Sequence, residues 1–269
     1  MKLMKYVTAM LLMVVVLLPA LEAGADDPQA RAIMEKVDAR DDGDHQTADM
    51  KMILIDKNGS QRKRSIRSFS KDMGEDKYRL MFFREPADVR DTGFLTYDYD
   101  DPDRDDDQWL YLPALKKTKR IASSDKSGSF MGSDLSYSDM TSRNLDDYDF
   151  TLKKEMEVKG HPVWLIESIP RNKKVIKETG YTKSLLFVRQ DTYYVVRGLH
   201  WVKDGGYLKY IDTRTLEQID GVWVWTEMHI TKKMGKTMAH KTELYWRNVR
   251  FNQDLADDLF TIRRLEKGL

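Results

Sequence analysis

Residues Gln108–Met140 read QWLYLPALKKTKRIASSDKSGSFMGSDLSYSDM, and the change of character within this stretch decides the fold. Its first part gives two short strands, Gln108–Leu112 and Thr118–Ile121, rich in aromatic and β-branched residues. Its second part belongs to the longest irregular segment of the chain, Ala122–Arg143, which is rich in Ser and Gly yet carries Phe130, Met131, Leu135, Tyr137 and Met140. A loop of that length in a compact β domain is usually a lid, a binding loop or a disordered excursion. This one is too apolar to be a purely solvated excursion, so it is expected to cover a barrel mouth or a sheet face.

Outward from this stretch the pattern stays β. Met50, Met52 and Leu54 alternate with Lys51 and Ile53, and Asp56-Lys57-Asn58-Gly59 supplies the Asn-Gly signal of a tight hairpin. The return strand is basic, with Arg62, Lys63, Arg64 and Arg67 read as a solvated face. Further strands are expected at Tyr78–Arg84, Thr92–Tyr97, Phe150–Val158, Val163–Ser168, Lys183–Arg189, Tyr194–Lys203, Tyr207–Leu216, Val222–Thr231 and Lys236–Trp246, about 13 in all. Strands in succession without crossover helices argue for an antiparallel meander, hence a mainly β chain with one large curved antiparallel sheet or half-open β-barrel. One N-terminal helix is expected over residues 28–40, with Asp27 as N-cap, Pro28 at its first position and Ile33, Met34 and Val37 at helical spacing.

Lys2 and Lys5 precede the apolar run Tyr6–Leu21, and Ala23-Gly24-Ala25 fits a small-residue cleavage rule. Residues 1–25 therefore read as an export signal, and 26–269 as one domain. The alternative, an uncleaved anchor, needs about 20 apolar residues. Losing residues 1–25 removes two lysines and one glutamate from a chain of net charge +1, leaving a neutral protein. No nucleic-acid partner is expected from that balance. The absence of cysteine excludes disulfides, thiolate metal sites, a cysteine nucleophile and lipid attachment through an N-terminal cysteine. With 33% charged residues and a mean hydropathy of −0.61, the chain reads as a soluble periplasmic protein.

Candidate chemistry is sparse. The acidic run Asp98–Asp107 offers oxygen ligands for Ca²⁺, but it lacks the spacing of an EF-hand loop and contains Arg104, so a solvated turn is the better reading. His45, His161, His200, His229 and His240 stand singly, without metal-ligand spacing, and no cofactor is expected. No G-x-S-x-G elbow is present, the serines of Ser123–Ser138 read as turn formers, and Asp146 and Asp147 are ordinary in so charged a chain. An enzyme is not expected. The cluster Lys116, Lys117, Lys119 and Arg120 suits either an acidic or anionic partner or the protection of a sheet edge.

The segments Trp109–Lys117 (WLYLPALKK), Ser129–Asp134 (SFMGSD) and Tyr137–Asp139 together resemble the outer-membrane lipoprotein-sorting proteins of the LolA-like superfamily, as does the closing stretch Phe251–Thr261. The resemblance implies a half-open barrel closed by helical or loop elements. It also implies a non-catalytic periplasmic carrier that binds the acyl part of a lipoprotein or another lipid in an apolar groove, with an RND-type exporter of the inner membrane as a partner. No LolA arginine or lid residue is placed on this sequence. Phe130, Met131, Leu135 and Tyr137 are the expected groove or lid residues, and Lys116, Lys117, Lys119 and Arg120 the expected partner contact. A sensor of the RseB-like kind, or an exporter subunit without lipid cargo, stands as the alternative.

Overall fold

Pro28 and the capping Asp27 set the start of α1 (Pro28–Asp38), where the Asp27 carboxylate accepts the Gln29 N–H and satisfies one of the free donors of the first turn. The structure, a computed structural model, describes residues 26–269, so the export signal expected over residues 1–25 lies outside the described residues.

Two runs of hairpins follow. The first contains β1 (His45–Asp56), β2 (Gln61–Met73), β3 (Asp76–Glu85), β4 (Gly93–Asp98), β5 (Asp107–Leu112) and β6 (Lys117–Arg120). The second contains β7 (Tyr148–Val158), β8 (His161–Pro170), β9 (Tyr181–Arg189), β10 (Val195–Val202), β11 (Tyr207–Ile219), β12 (Val222–Met234) and β13 (Thr237–Phe251). All 13 strands join one antiparallel sheet in the order β6-β5-β4-β3-β2-β1-β13-β12-β11-β10-β9-β8-β7. The strands read from sequence are all present. The single meander is not: the two runs meet where β1 pairs with β13, from Gln46 opposite Phe251 to Asp56 opposite His240. In consequence β6 and β7, neighbours in sequence, form opposite free edges of an open sheet.

Side chains alternate between the faces of a strand, so the register fixes what each face presents. One row crosses the inner face through Ile166, Leu186, Gly198, Ile211, Ile230, Thr242 and Leu54, and is mainly apolar. Two residues along, the parallel row is polar: Ser168, Ser184, His200, Lys209, Lys232 and His240. The His200 ring lies over Gly198, where a Cβ would stand 2.4 Å from its Nε2.

Ala30, Ile33 and Met34 of α1 pack on Phe150, Ile166, Leu186 and Val188 of the inner face. There the Asp26 carboxylate accepts the Phe150 N–H at 2.8 Å, Asp27 accepts that of Leu152 at 3.1 Å, and the Asp27 N–H donates to the Phe150 carbonyl at 2.8 Å. Part of the free edge of β7 is thereby capped. On the outer face, Leu80, Phe82 and Leu95 are covered by Phe260 and Leu265 of the C-terminal segment. Two helices escaped the sequence pattern, α2 (Lys173–Thr179) and α3 (Ile262–Lys267), each too short to show a helical period. Among the described residues no helix is long and apolar enough to cross a membrane.

Candidate functional site

Because β6 and β7 lie on opposite edges, residues 121–147 must cross the sheet, and they do so over its inner face as a strap. The strap is a chain of short 3-10 turns at Ser123–Asp125, Phe130–Gly132, Tyr137–Met140 and Leu145–Asp147. Ile121, Phe130 and Leu135 are buried among Met50, Met52, Leu54, Ile66, Met81, Phe83, Phe94, Leu110, Ile230 and Leu244 of the sheet, with Met131, Tyr137 and Met140 packed against the cluster. The Phe130 ring stands 4.9 Å from Phe94 and 5.8 Å from Tyr137. Met131 has φ +51° and Gly132 φ +73°, two successive left-handed residues. For Met that conformation is strained, and its surroundings must impose it.

All four expected lid residues thus come together in one apolar cluster, with Phe130 at 0% exposure. The four expected partner residues lie apart, exposed on or beside the edge strand β6. Arg120 is paired with Asp107, and Lys119 lies 3.8 Å from Asp125.

Polar contacts fasten the strap to the sheet, and the reading of the sequence found none of them. The buried Asp134 accepts hydrogen bonds from Thr242 (2.8 Å) and pairs with His240 (2.7 Å), while its own N–H donates to Thr242 (2.9 Å). Asp139 meets Lys209 at 3.1 Å and accepts the Tyr181 hydroxyl at 2.9 Å, with Arg143 at 3.7 Å. Gln108 donates to the Tyr137 carbonyl at 2.9 Å, and Arg64 donates to the Met131 carbonyl. Lys126, at 1% exposure, bonds Glu178 at 2.9 Å. Arg64 corrects the solvated-face reading of the basic strand: it lies on the same side of β2 as Ile66 and is half-buried, its guanidinium 5.7 Å from the centre of the Phe83 ring. Arg67 is likewise drawn to Asp49, at 3.2 Å.

The strap carboxylates therefore meet the polar row of the inner face. Burial opposes ionisation of Asp139, but Lys209 and Arg143 outweigh it and hold the carboxyl below its usual range. Burial likewise opposes charge on Lys209, yet Asp139 and Tyr181 keep its pKa above the ordinary lysine value. Tyr181 is pushed up to about 12 by burial and by Asp139. His200, which shares a hydrogen bond with Ser184 at 2.8 Å, is lowered to about 3 by burial and then by Arg143. Two signals in the sequence mark this network. Alternation places Lys209 on the same face as Ile211, and Ser136-x-x-Asp139 is a capping box whose two reciprocal bonds are both present.

Against the last third of the strap lies a cavity of about 510 Å³, bounded by Asp38, Asp72, Asp98, Asp106, Asp147 and Glu178 among others. It is charged and unsuited to a hydrocarbon chain. The acidic run expected to be a solvated turn is so only in part: Asp100, Asp101 and Asp103 are exposed, whereas the buried Asp98 binds Arg79 at 2.8 Å and the Ser142 N–H. Burial raises the pKa of Asp106, with Asp98 adding to it. Among the described residues no group of three or more His, Asp or Glu side chains could hold a metal ion.

A family model described as an uncharacterized protein matches residues 75–267. A DUF1329 family protein from Desulfovibrio piger is 31% identical over 88% of this chain and 98% of its own, with a TM-score of 0.79. An outer membrane lipoprotein-sorting protein domain from Vibrio parahaemolyticus is 32% identical with the same coverage and TM-score. A LolA superfamily protein from Nitrosomonas europaea, 18% identical over 87% of this chain and 98% of its own, shares the fold with a TM-score of 0.65. No curated protein matches the chain.

Proposed function

We propose, on the premise that the chain belongs to the DUF1329 family, that it is a non-catalytic periplasmic carrier that takes an acyl chain of a lipoprotein or another lipid onto the inner face of its sheet. The observation that carries this reading is the cover of that face. The apolar cluster is closed by an irregular strap rather than by packed helices or a second sheet, and a handful of polar contacts hold it. Lifting the strap uncovers Met50, Met52, Leu54, Met81, Phe94 and Leu110, a surface rich in adaptable methionine. Phe130, Met131, Leu135 and Tyr137 are then the gate, occupying in the closed state the place the acyl chain takes in the open one. The resemblance to lipoprotein-sorting proteins supports the cargo class, and the Vibrio parahaemolyticus relative carries that description.

Two further parts belong to the same reading. Residues 1–25 are removed on export, so protein taken from the periplasm begins at Asp26. The exposed Lys116, Lys117, Lys119 and Arg120 receive an acidic face of a membrane partner, an RND-type exporter by the resemblance, and charge reversal there weakens that contact in a salt-dependent way.

The absence of native cysteine makes the carrier reading directly testable. Asp134→Cys with Thr242→Cys places two thiols where strap and β13 already touch. Native mass spectrometry after incubation with lipid is expected to show an acylated species for the reduced protein and none for the oxidised one. Equal uptake by both refutes displacement of the strap. Uptake by neither, nor by the unsubstituted protein, favours the second reading, a protein that binds a membrane partner without lipid cargo. The filled inner face is the observation on that side.

A further inference from the structure

The turns between β10 and β11 and between β12 and β13 lie side by side at one end of the sheet, because Tyr207 stands opposite Met234 and Trp201 opposite Leu208. Gly205, Gly206 and Gly235, at φ +77°, +63° and +57°, make these turns tight. The segments Trp201–Leu208 and Thr231–Met238 read WVKDGGYL and TKKMGKTM, so the two tips carry Lys203, Lys232, Lys233 and Lys236 against the single acid Asp204. None of these four lysines forms an ion pair among the described residues. Two of the four ammonium groups lie over rings instead, Lys232 4.3 Å from the centre of Tyr207 and Lys233 5.1 Å from Tyr210, while the neighbouring Lys183, paired with Glu167 at 3.6 Å, is also 4.3 Å from Trp201.

Apolar groups stand on both faces of this tongue. Alternation puts Tyr207 and Met234 on the inner side, and Trp201 and Leu208 on the outer side. Met234 is 50% exposed, and Trp201, Tyr207 and Leu208 are partly exposed. A patch built for a folded protein partner occupies one face, whereas an edge that is apolar on both sides and ringed by lysine fits a fluid interface that closes around it. Trp and Tyr are at home at headgroup level, where lysine stems lie along apolar surface while their charges reach water and phosphate.

From this geometry we infer that the β10–β11 and β12–β13 tips dock the protein on an anionic phospholipid surface. The docking is peripheral: the aromatic and methionine side chains enter the headgroup region, and the lysines pair with lipid phosphates. It does not require cargo on the inner face: Lys232 lies in the polar row between Lys209 and His240, but Lys203, Lys233, Lys236 and Trp201 stand outside that row.

The test is sedimentation of the protein with vesicles of phosphatidylcholine alone or with equimolar phosphatidylglycerol. The protein is expected to pellet with the anionic vesicles at low salt, to release as salt rises, and to ignore the neutral ones. Each lysine near an anionic surface contributes roughly a five-fold factor to partitioning, so changing Lys203, Lys232, Lys233 and Lys236 to Gln lowers it by more than about 10²-fold. These side chains are partly or fully exposed, so circular dichroism and the thermal midpoint should be unchanged; should the fourfold variant misfold, Lys203→Gln with Lys236→Gln at the turns is the fallback. Brominated lipid is expected to quench the protein's fluorescence, and Trp201→Phe to remove that part of the quenching. No binding to anionic vesicles, binding unaffected by the lysine changes, or quenching that survives Trp201→Phe each overturns the proposal.

Discussion

Replacing Phe130 with Ala separates a strap that competes with cargo from one that is merely part of the core. The ring is fully buried, 4.9 Å from Phe94, 5.8 Å from Tyr137 and 6.1 Å from Phe83. Truncating such a side chain costs about 3–5 kcal/mol, the transfer of the lost atoms plus the cavity they leave. That penalty falls on the closed state. With the strap lifted, the ring at 130 is solvated and its loss is close to neutral, so the same 3–5 kcal/mol is subtracted from the free energy of opening. If the acyl chain needs the open state, its apparent affinity rises by roughly 10²- to nearly 10⁴-fold, capped by the free energy that holds the native strap closed. Urea unfolding gives the first quantity, and titration with a fluorescent fatty acid the second. A variant that loses the expected stability yet takes up fatty acid no better than the native protein refutes the competition. A loss below about 1 kcal/mol refutes the packing itself.

Other outcomes follow from the polar row. The unfolded chain binds a proton at His200 near pH 6.5, whereas the native pKa is lowered to about 3, burial being the largest cause. Stability is therefore full above about pH 6.5 and falls on acidification toward pH 3, by up to about 1.4 kcal/mol per pH unit, as equilibrium unfolding across that range measures. His200→Gln flattens this slope, and a slope unchanged by the substitution assigns it to other groups. Asp139→Asn leaves Lys209 buried without its counter-charge and is expected to cost about 3–5 kcal/mol in urea unfolding. Adding Lys209→Met to that variant restores much of the loss, and a strictly additive double variant contradicts the pairing. Asp26→Ala removes the acceptor of the Phe150 N–H and the partner of Arg31, at a cost of about 1–2 kcal/mol and faster hydrogen exchange along the start of β7.

The elements most legible in the sequence are those whose signal is local. The Asn58-Gly59 turn and the Met50, Met52, Leu54 alternation specify the first hairpin wherever it ends up in the fold, and Asp27-Pro28 specifies the start of α1. The apolar character of Phe130, Met131, Leu135 and Tyr137 marks a segment that must be covered, because such residues within a loop are expensive to leave in water. The basic strand β2 was misread in part, since charge alone does not say which face a residue takes. Arg64 is drawn inward by a carbonyl that the strap brings to it from Met131.

By itself, then, the sequence determined a mainly β chain of about 13 strands with one N-terminal helix and one anomalous apolar segment, because strand alternation, turn chemistry and capping act over a few residues. Only the tertiary structure decided that β1 pairs with β13, that β6 and β7 are opposite edges, and that the anomalous segment is therefore a strap. It alone brought Asp134 to His240 and Thr242, 106 and 108 positions away, and Asp139 to Lys209, 70 positions away. The physical reason is closure of a non-local sheet. Which strands meet depends on burying both faces of the whole sheet at once, and no window of sequence carries that condition.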